Sequence, residues 1–148
     1  MCRVSSRIAF DKVLTKERFL AAGVPTPRSQ TLRLDRDDAL QIGLPLVIKP
    51  PREGSSVGVH IVRNAGELAP ALEDAKEFGN DTLVEEFIEG KELTVSVIGN
   101  EALPVIHIEP VSGFYDINNK YPWMGGTGKT HYHCPADLTE RTALRVRD

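Results

Sequence analysis

Residues 49–59 read KPPREGSSVGV: a lysine and two prolines, then a glycine followed by two serines, then a return to β-branched residues. A turn of this kind can aim backbone N–H groups and hydroxyls at an anion, with Lys49 at the strand end supplying a charge. The GxxxxGK[ST] spacing of a Walker loop is absent. On these residues alone a plain turn between strands is the better default, because Gly-Ser turns are common. A second group is LVEEFIEGKE, residues 83–92. Strand alternation puts Glu85 and Phe87 on one face and Glu86 and Ile88 on the other, and the turn at Gly90 returns Glu92 close by. A strand edge beside carboxylates can pair with adenine through its backbone and accept hydrogen bonds from ribose hydroxyls; taken alone, a solvated acidic strand end explains the same residues. The third group is FYDINNKY, residues 114–121, where aromatic residues flank Lys120. It reads either as a lid that places Lys120 over a phosphate or as a loop pinned by Phe114 and Tyr115. The fourth is His131, His133 and Cys134, in which alternation sends the thiol to the face opposite the imidazoles, so the zinc reading is the weaker one and no metal ligand is assigned.

These groups need elements to position them. DKVLTKERFLAAG, Asp11 to Gly23, has Val13, Leu14, Phe19 and Leu20 at roughly helical spacing, Gly23 as the stop and Pro25 beyond it. Val24 to Leu34 suits an extended connector, and Asp35 to Ile42 a short helix. LPLVIK (44–49) and VGVHIV (57–62) read as strands on either side of the opening loop. Asn64 and Glu67 have the spacing of a capping box for a helix running to about Phe78, with Leu68, Ala71, Leu72 and Ala75 on one face. Strands over 82–88, 92–99 and 103–109, with Gly99-Asn100 at the second turn, predict a β-meander. Residues 110–130, with Gly113, Gly125, Gly126 and Gly128, have the composition of a long mobile loop. A short strand at 131–134 and a helix from about Thr139 follow.

The chain has 148 residues, 41% of them hydrophobic, enough for one or two small folding units. Its charge of −3, from 18 basic and 21 acidic residues without runs of either sign, gives no footprint for nucleic acid or an anionic membrane. No apolar stretch is long enough to span a bilayer and the N-terminus lacks a secretory core, so a cytoplasmic location is expected. Cys2 and Cys134 form no CxxC pair and read as free thiols.

Taken in order, DK, GVPTP, GLPLVIKPPREGSSVGV, LVEEFIEGKELTVSVIG, LPVIHIEP, FYDINNKY and CPADL resemble the ATP-grasp ligases, specifically the D-alanine:D-alanine ligase family. The resemblance covers about Ser6 to Leu138. It implies an α+β fold, an ATP-grasp fragment of antiparallel sheet with packed helices. Residues 1–109 would be the central ATP-grasp subdomain, and 110–148 the lid loop and the start of the C-terminal subdomain. Lys12 and Lys49 look like the lysines that contact ATP phosphates, and Ser55 like the loop that closes over them. Glu85, Glu86 and Ile88 match the adenine segment, with Glu85 accepting from the amino group; Glu92 matches the ribose carboxylate. Lys120 and Tyr121 match the lid, where the lysine approaches the phosphates and the tyrosine meets the serine loop. Ile117, Asn118 and Asn119 depart from the usual Tyr-Glu-Ala type of sequence, and YPWMGGTGKT is longer than the common form.

The reaction implied is phosphorylation of one D-alanine carboxylate by ATP, followed by attack of a second D-alanine's amine on the acyl phosphate. The implied partners are therefore ATP and D-alanine, with Mg²⁺ as cofactor and a homodimer admissible at full length. The glutamate for the first D-alanine and the carboxylates for Mg²⁺ are expected outside these residues, which read as the ATP-binding middle of a ligase with little or no activity alone. A non-catalytic nucleotide-binding or interaction module is the alternative.

Overall fold

The computed structural model describes residues 3–36, 38–124 and 128–148. The thiol reading of Cys2 and the glycines Gly125 and Gly126 lie outside the described residues. No described helix is long and apolar enough to cross a membrane. The chain divides into two compact units, Met1–Ile88 and Glu89–Asp148.

In the first unit, helix α1 (Arg3–Phe10) precedes α2 (Lys12–Ala21). The two are separated by Asp11, whose carboxylate caps α2 by accepting from the N–H groups of Val13 (3.0 Å) and Leu14 (3.2 Å). Strands β1 (Ser29–Arg33), β2 (Leu46–Lys49), β3 (His60–Val62) and, after helix α3 (Ala65–Ala75), β4 (Asp81–Glu86) form one antiparallel sheet in the order β1-β4-β2-β3. Alternation divides this sheet into two faces. Leu32, Leu46, Ile48, Val62 and Val84 point to one and pack with Ala71 and Ala75 of α3 to make the core. Val47, Lys49, Leu83 and Glu85 share the other, since the register sets Val47 opposite Glu85 and Lys49 opposite Leu83. The register thus puts the basic and acidic candidates together.

The cap of α3 forms as its spacing predicts, with one change of detail. Asn64 Oδ1 accepts from the Gly66 N–H (3.0 Å), while the Glu67 carboxylate reaches past the cap residue to the Arg63 N–H (2.7 Å) and the Asn64 side-chain amide (2.7 Å). The helix ends in a tighter 3₁₀ turn, Lys76–Phe78.

The second unit contains β5 (Glu92–Thr94), a two-stranded hairpin of β6 (Val97–Ile98) and β7 (Glu101–Ala102), then β8 (Ile106–Pro110), α4 (Ile117–Lys120), β9 (Thr130–His133) and α5 (Glu140–Arg147). Its three-stranded sheet has the order β5-β8-β9.

Four expectations need correction. The meander does not form, because β1 and β2 occupy both edges of β4; β5 pairs with β8 instead. The connector Val24–Leu34 is extended as expected, but Ser29–Arg33 of it joins the sheet as an edge strand. Residues 35–42 make no helix among those described. The Gln30 side chain competes for that backbone, donating to the Ala39 carbonyl (2.7 Å) and accepting from the Gln41 N–H (2.8 Å), while the Asp38 carboxylate turns back to accept from the Arg33 N–H (2.9 Å). Within 110–130 lie α4 and a 3₁₀ turn, Pro122–Met124, in place of a structureless loop.

Candidate functional site

The first unit gathers its charged candidates at the end of β2 and the start of α2. Glu85 is only 6% exposed, and its two oxygens serve two cations: Oε1 lies 2.7 Å from Lys16 Nζ, and Oε2 pairs with Lys49 Nζ. Lys16 is itself buried and completes its donor set with Thr26 Oγ1 (2.8 Å) and the Pro27 carbonyl (2.7 Å). A buried carboxylate with a cation at each oxygen fixes both partners in place.

Lys12 stands at the first turn of α2. Its backbone N–H donates to the Pro51 carbonyl (2.9 Å), and its ammonium donates to the carbonyls of Pro50 (2.9 Å) and Glu53. Lys12 is thereby tied to the loop after β2. Burial, and next the Lys49 ammonium, hold the Lys12 ammonium below the ordinary lysine range, against the weaker opposing pull of Glu53 and Asp11. The two lysines expected to contact phosphate therefore sense each other's charge. Arg52 is paired separately, with Asp81 (2.6 Å) and Asp11 (3.3 Å).

In the loop itself Ser55 and Ser56 have φ of 53° and 61°, the left-handed region that L-residues with a Cβ rarely occupy. Gly58 follows at φ 66°, where a Cβ would stand 2.6 Å from Phe78 Cε2 and 2.7 Å from Pro50 Cγ. Gly58 locks the returning strand against the prolines and the end of α3.

Glu86 faces away from Glu85. The Arg28 backbone N–H (3.0 Å) and guanidinium (2.8 Å) donate to its carboxylate and hold it below the usual carboxylate range. Ile88 is 61% exposed.

In the second unit Glu92 opens β5. Loss of surrounding water raises its carboxyl above the usual range, with Lys120 pulling the other way. The Lys120 ammonium sits 4.9 Å from the Tyr115 ring centroid, Tyr115 bonds the Tyr132 hydroxyl (2.7 Å), and Tyr121 meets Trp123 edge-on at 5.4 Å. Asn119, one of the departures noted in the lid, is buried; its amide donates to the carbonyls of Ser112 (3.0 Å) and Phe114 (2.7 Å), and its N–H donates to Asp116 (2.8 Å). The substituted segment thus carries its own internal staple.

His133 pairs with Glu109 (2.7 Å) and stacks on His107 at 5.4 Å, whereas Cys134 is exposed and takes no part. The grouping of His131, His133 and Cys134 does not assemble; the cluster that does is His107, Glu109 and His133.

Lys16 was not singled out from the sequence. Its signal was there: Lys12 and Lys16 are four apart, on one face of a helix whose first residue already carried a phosphate reading.

Comparison with known proteins matches residues 21–148 to the family model described as "D-ala D-ala ligase C-terminus". The chain belongs to the D-alanine:D-alanine ligase family. It is 41% identical over 147 residues to the D-alanine--D-alanine ligase of Nitrosospira multiformis, covering 97% of this chain and 47% of that relative. It is 40% identical over 148 residues to D-alanine--D-alanine ligase B of Chromobacterium violaceum, covering 98% and 48%. Among solved structures, the VanG D-Ala:D-Ser ligase of Enterococcus faecalis superposes with a TM-score of 0.79 at 32% identity over 97% of this chain and 43% of that one. The Bacillus anthracis D-alanine--D-alanine ligase complexed with ATP gives 0.76 at 28% identity, over 97% and 44%. The ligase-family chain thus spans about half the length of the relatives it matches, and its antiparallel sheets with packed helices are the α+β fold of ATP-grasp D-Ala ligases.

Proposed function

We propose that this chain is the ATP-handling part of a D-alanine:D-alanine ligase, whose reaction joins two D-alanines through an acyl phosphate for peptidoglycan. The observation that carries the reading is that Lys16 and Lys49 share the buried carboxylate of Glu85 while the Lys12 ammonium, held by the carbonyls of Pro50 and Glu53, feels the charge of Lys49. Lys12 and Lys49 repel each other, and a phosphate beside them relieves that repulsion. Lys12 and Lys49 bind the phosphates in this reading. Lys16 and Glu85 position Lys49.

Ser55 and Ser56 support the same role. Holding two such residues in the left-handed region costs roughly 1–2 kcal/mol each, and strain of this kind collects in loops that clamp ligands. Glu85 has both oxygens engaged, so it accepts from the adenine amino group through a remaining lone pair, a carboxylate having about four acceptor sites. Backbone groups of residues 86–88 complete the adenine contacts, with exposed Ile88 against the ring. Glu92 accepts from ribose, and Lys120 and Tyr121 belong to the lid that excludes water from the acyl phosphate. The subdomain division at residue 109 and a cytoplasmic location belong to this proposal.

Mg²⁺ is a different matter. Among the described residues the one group of three candidate ligands is His107, Glu109 and His133, and two imidazoles with one carboxylate do not suit an ion that takes oxygen ligands. No step is assigned to Mg²⁺ on these residues, and we place its carboxylates elsewhere in the ligase. The 148 residues by themselves bind nucleotide without completing ligation.

Equilibrium dialysis with ATP and AMP tests the reading. One ATP is expected per chain, AMP at least ten-fold weaker, and ATP binding lost in Lys49→Ala. Equal affinity for ATP and AMP would exclude phosphate recognition by the lysines. Release of ADP at an intact ligase's rate with ATP, Mg²⁺ and D-alanine would refute the claim that more of the enzyme is needed.

A further inference from the structure

We propose that His107, Glu109 and His133, on one face of the β8–β9 ladder, form a binding site for a divalent transition metal, with Zn²⁺ the ion that suits them best. The backbone builds this site. The register sets His107 opposite His133 and Glu109 opposite His131, and alternation aims all four side chains to the same face. One ligand atom from each of His107, Glu109 and His133 lies within 4.8 Å of the others. His133 Nε2 is 2.7 Å from Glu109 Oε2, and the His107 and His133 rings stack with centroids 5.4 Å apart.

A tetrahedral zinc with bonds of about 2.0–2.1 Å needs its ligand atoms roughly 3.3 Å apart. One pair stands at 2.7 Å and all three atoms lie within 4.8 Å of one another, so small side-chain rotations suffice to bring them to that spacing while the strands stay paired. Two imidazole nitrogens and one carboxylate oxygen are a donor set for zinc, copper or nickel, and three protein ligands leave the fourth position to water.

The site is distinct from the nucleotide residues proposed for this unit. Glu92 lies opposite Ile108, and Ile108 opposite Tyr132, so the lid contacts of Tyr115 belong to the other face of the sheet. It also differs from a zinc site made with the thiol, because Cys134 follows His133 and alternation turns it away. The proposal does not rest on ligase activity.

The test is calorimetric titration of ZnCl₂ into the chelator-stripped chain at neutral pH. One ion per chain is expected, with affinity lowered at least ten-fold in each of His107→Gln, Glu109→Gln and His133→Gln, and changed less than two-fold in Cys134→Ser. A second measurement needs no variant: in the unmodified chain, Zn²⁺ should shift the imidazole NMR resonances of His107 and His133 and leave those of His60 in place. Absence of saturable uptake, affinity unchanged by the three substitutions, or loss of binding in Cys134→Ser would each overturn the proposal. An ordinary surface ion pair between His133 and Glu109 predicts the first of these.

Discussion

Replacing Glu85 by glutamine removes the charge that holds two lysines while keeping the side chain's size. The carboxylate is 6% exposed and accepts from Lys16 at 2.7 Å and from Lys49. Lys16 is then left buried with neutral acceptors only, Thr26 Oγ1, the Pro27 carbonyl and the new amide oxygen. Breaking a buried pair from one side costs about 3–5 kcal/mol, because the surviving charge has lost its partner. Lys16→Met should cost less, about 1–2 kcal/mol, since Glu85 retains Lys49 at its other oxygen. The double variant should cost less than the sum of the singles, with a coupling of at least about 1 kcal/mol. Native-state hydrogen exchange of the β2 and β4 amides reports this unit directly. A loss of 3–5 kcal/mol lowers protection by about two to four orders of magnitude in Glu85→Gln. Protection lowered less than three-fold, or strictly additive effects of the two substitutions, would refute the picture of a buried triad.

Three further outcomes follow from the same geometry. Gly58→Ala should destabilise by about 2 kcal/mol or more in urea unfolding, from a Cβ 2.6 Å from Phe78 and a φ of 66°, while Gly54→Ala, with nothing within 4 Å, should be near neutral. Asn119→Ala removes donors to the Ser112 and Phe114 carbonyls and should cost about 1–3 kcal/mol locally, seen as faster proteolytic cleavage within residues 112–121; an unchanged rate would contradict the staple. Lys12 should titrate below the ordinary lysine range by NMR, and Lys49→Met should move it upward by removing a like charge. With its pKa lowered in the folded state, Lys12 makes stability rise with pH between that pKa and the ordinary lysine value, and adds no further pH dependence below that window.

What could be read from the sequence was local. The N-cap at Asn64, the helix from DKVLTKERFLAAG, the strands around KPPREGSSVGV and the alternation of LVEEFIEG depend on neighbours a few residues apart, and the structure keeps them. Pairing was not legible. Nothing local says that both edges of β4 are filled by β1 and β2, and so that β5 must turn to β8. The short helix expected over 35–42 fails because Gln30, a strand away, takes the Ala39 carbonyl and the Gln41 N–H, and Asp38 turns back to the Arg33 N–H. Lys16 escaped notice because its meaning comes from Glu85, sixty-nine positions later, once α2 is laid on the sheet. His107 and Glu109 escaped for the same reason: only the β8–β9 register brings them to His133.

Thermal melting of the chain with and without Mg-ATP tests the central claim most directly, with Lys49→Ala alongside. At a nucleotide concentration about 100 times Kd, binding stabilises by about 2.7 kcal/mol, which for a chain of this size is a rise of roughly 5–11 °C in Tm. The account predicts that rise in the unmodified chain and none in Lys49→Ala, each compared with its own nucleotide-free melt. An unmodified chain that does not respond to Mg-ATP, or a Lys49→Ala chain that responds equally, would contradict it.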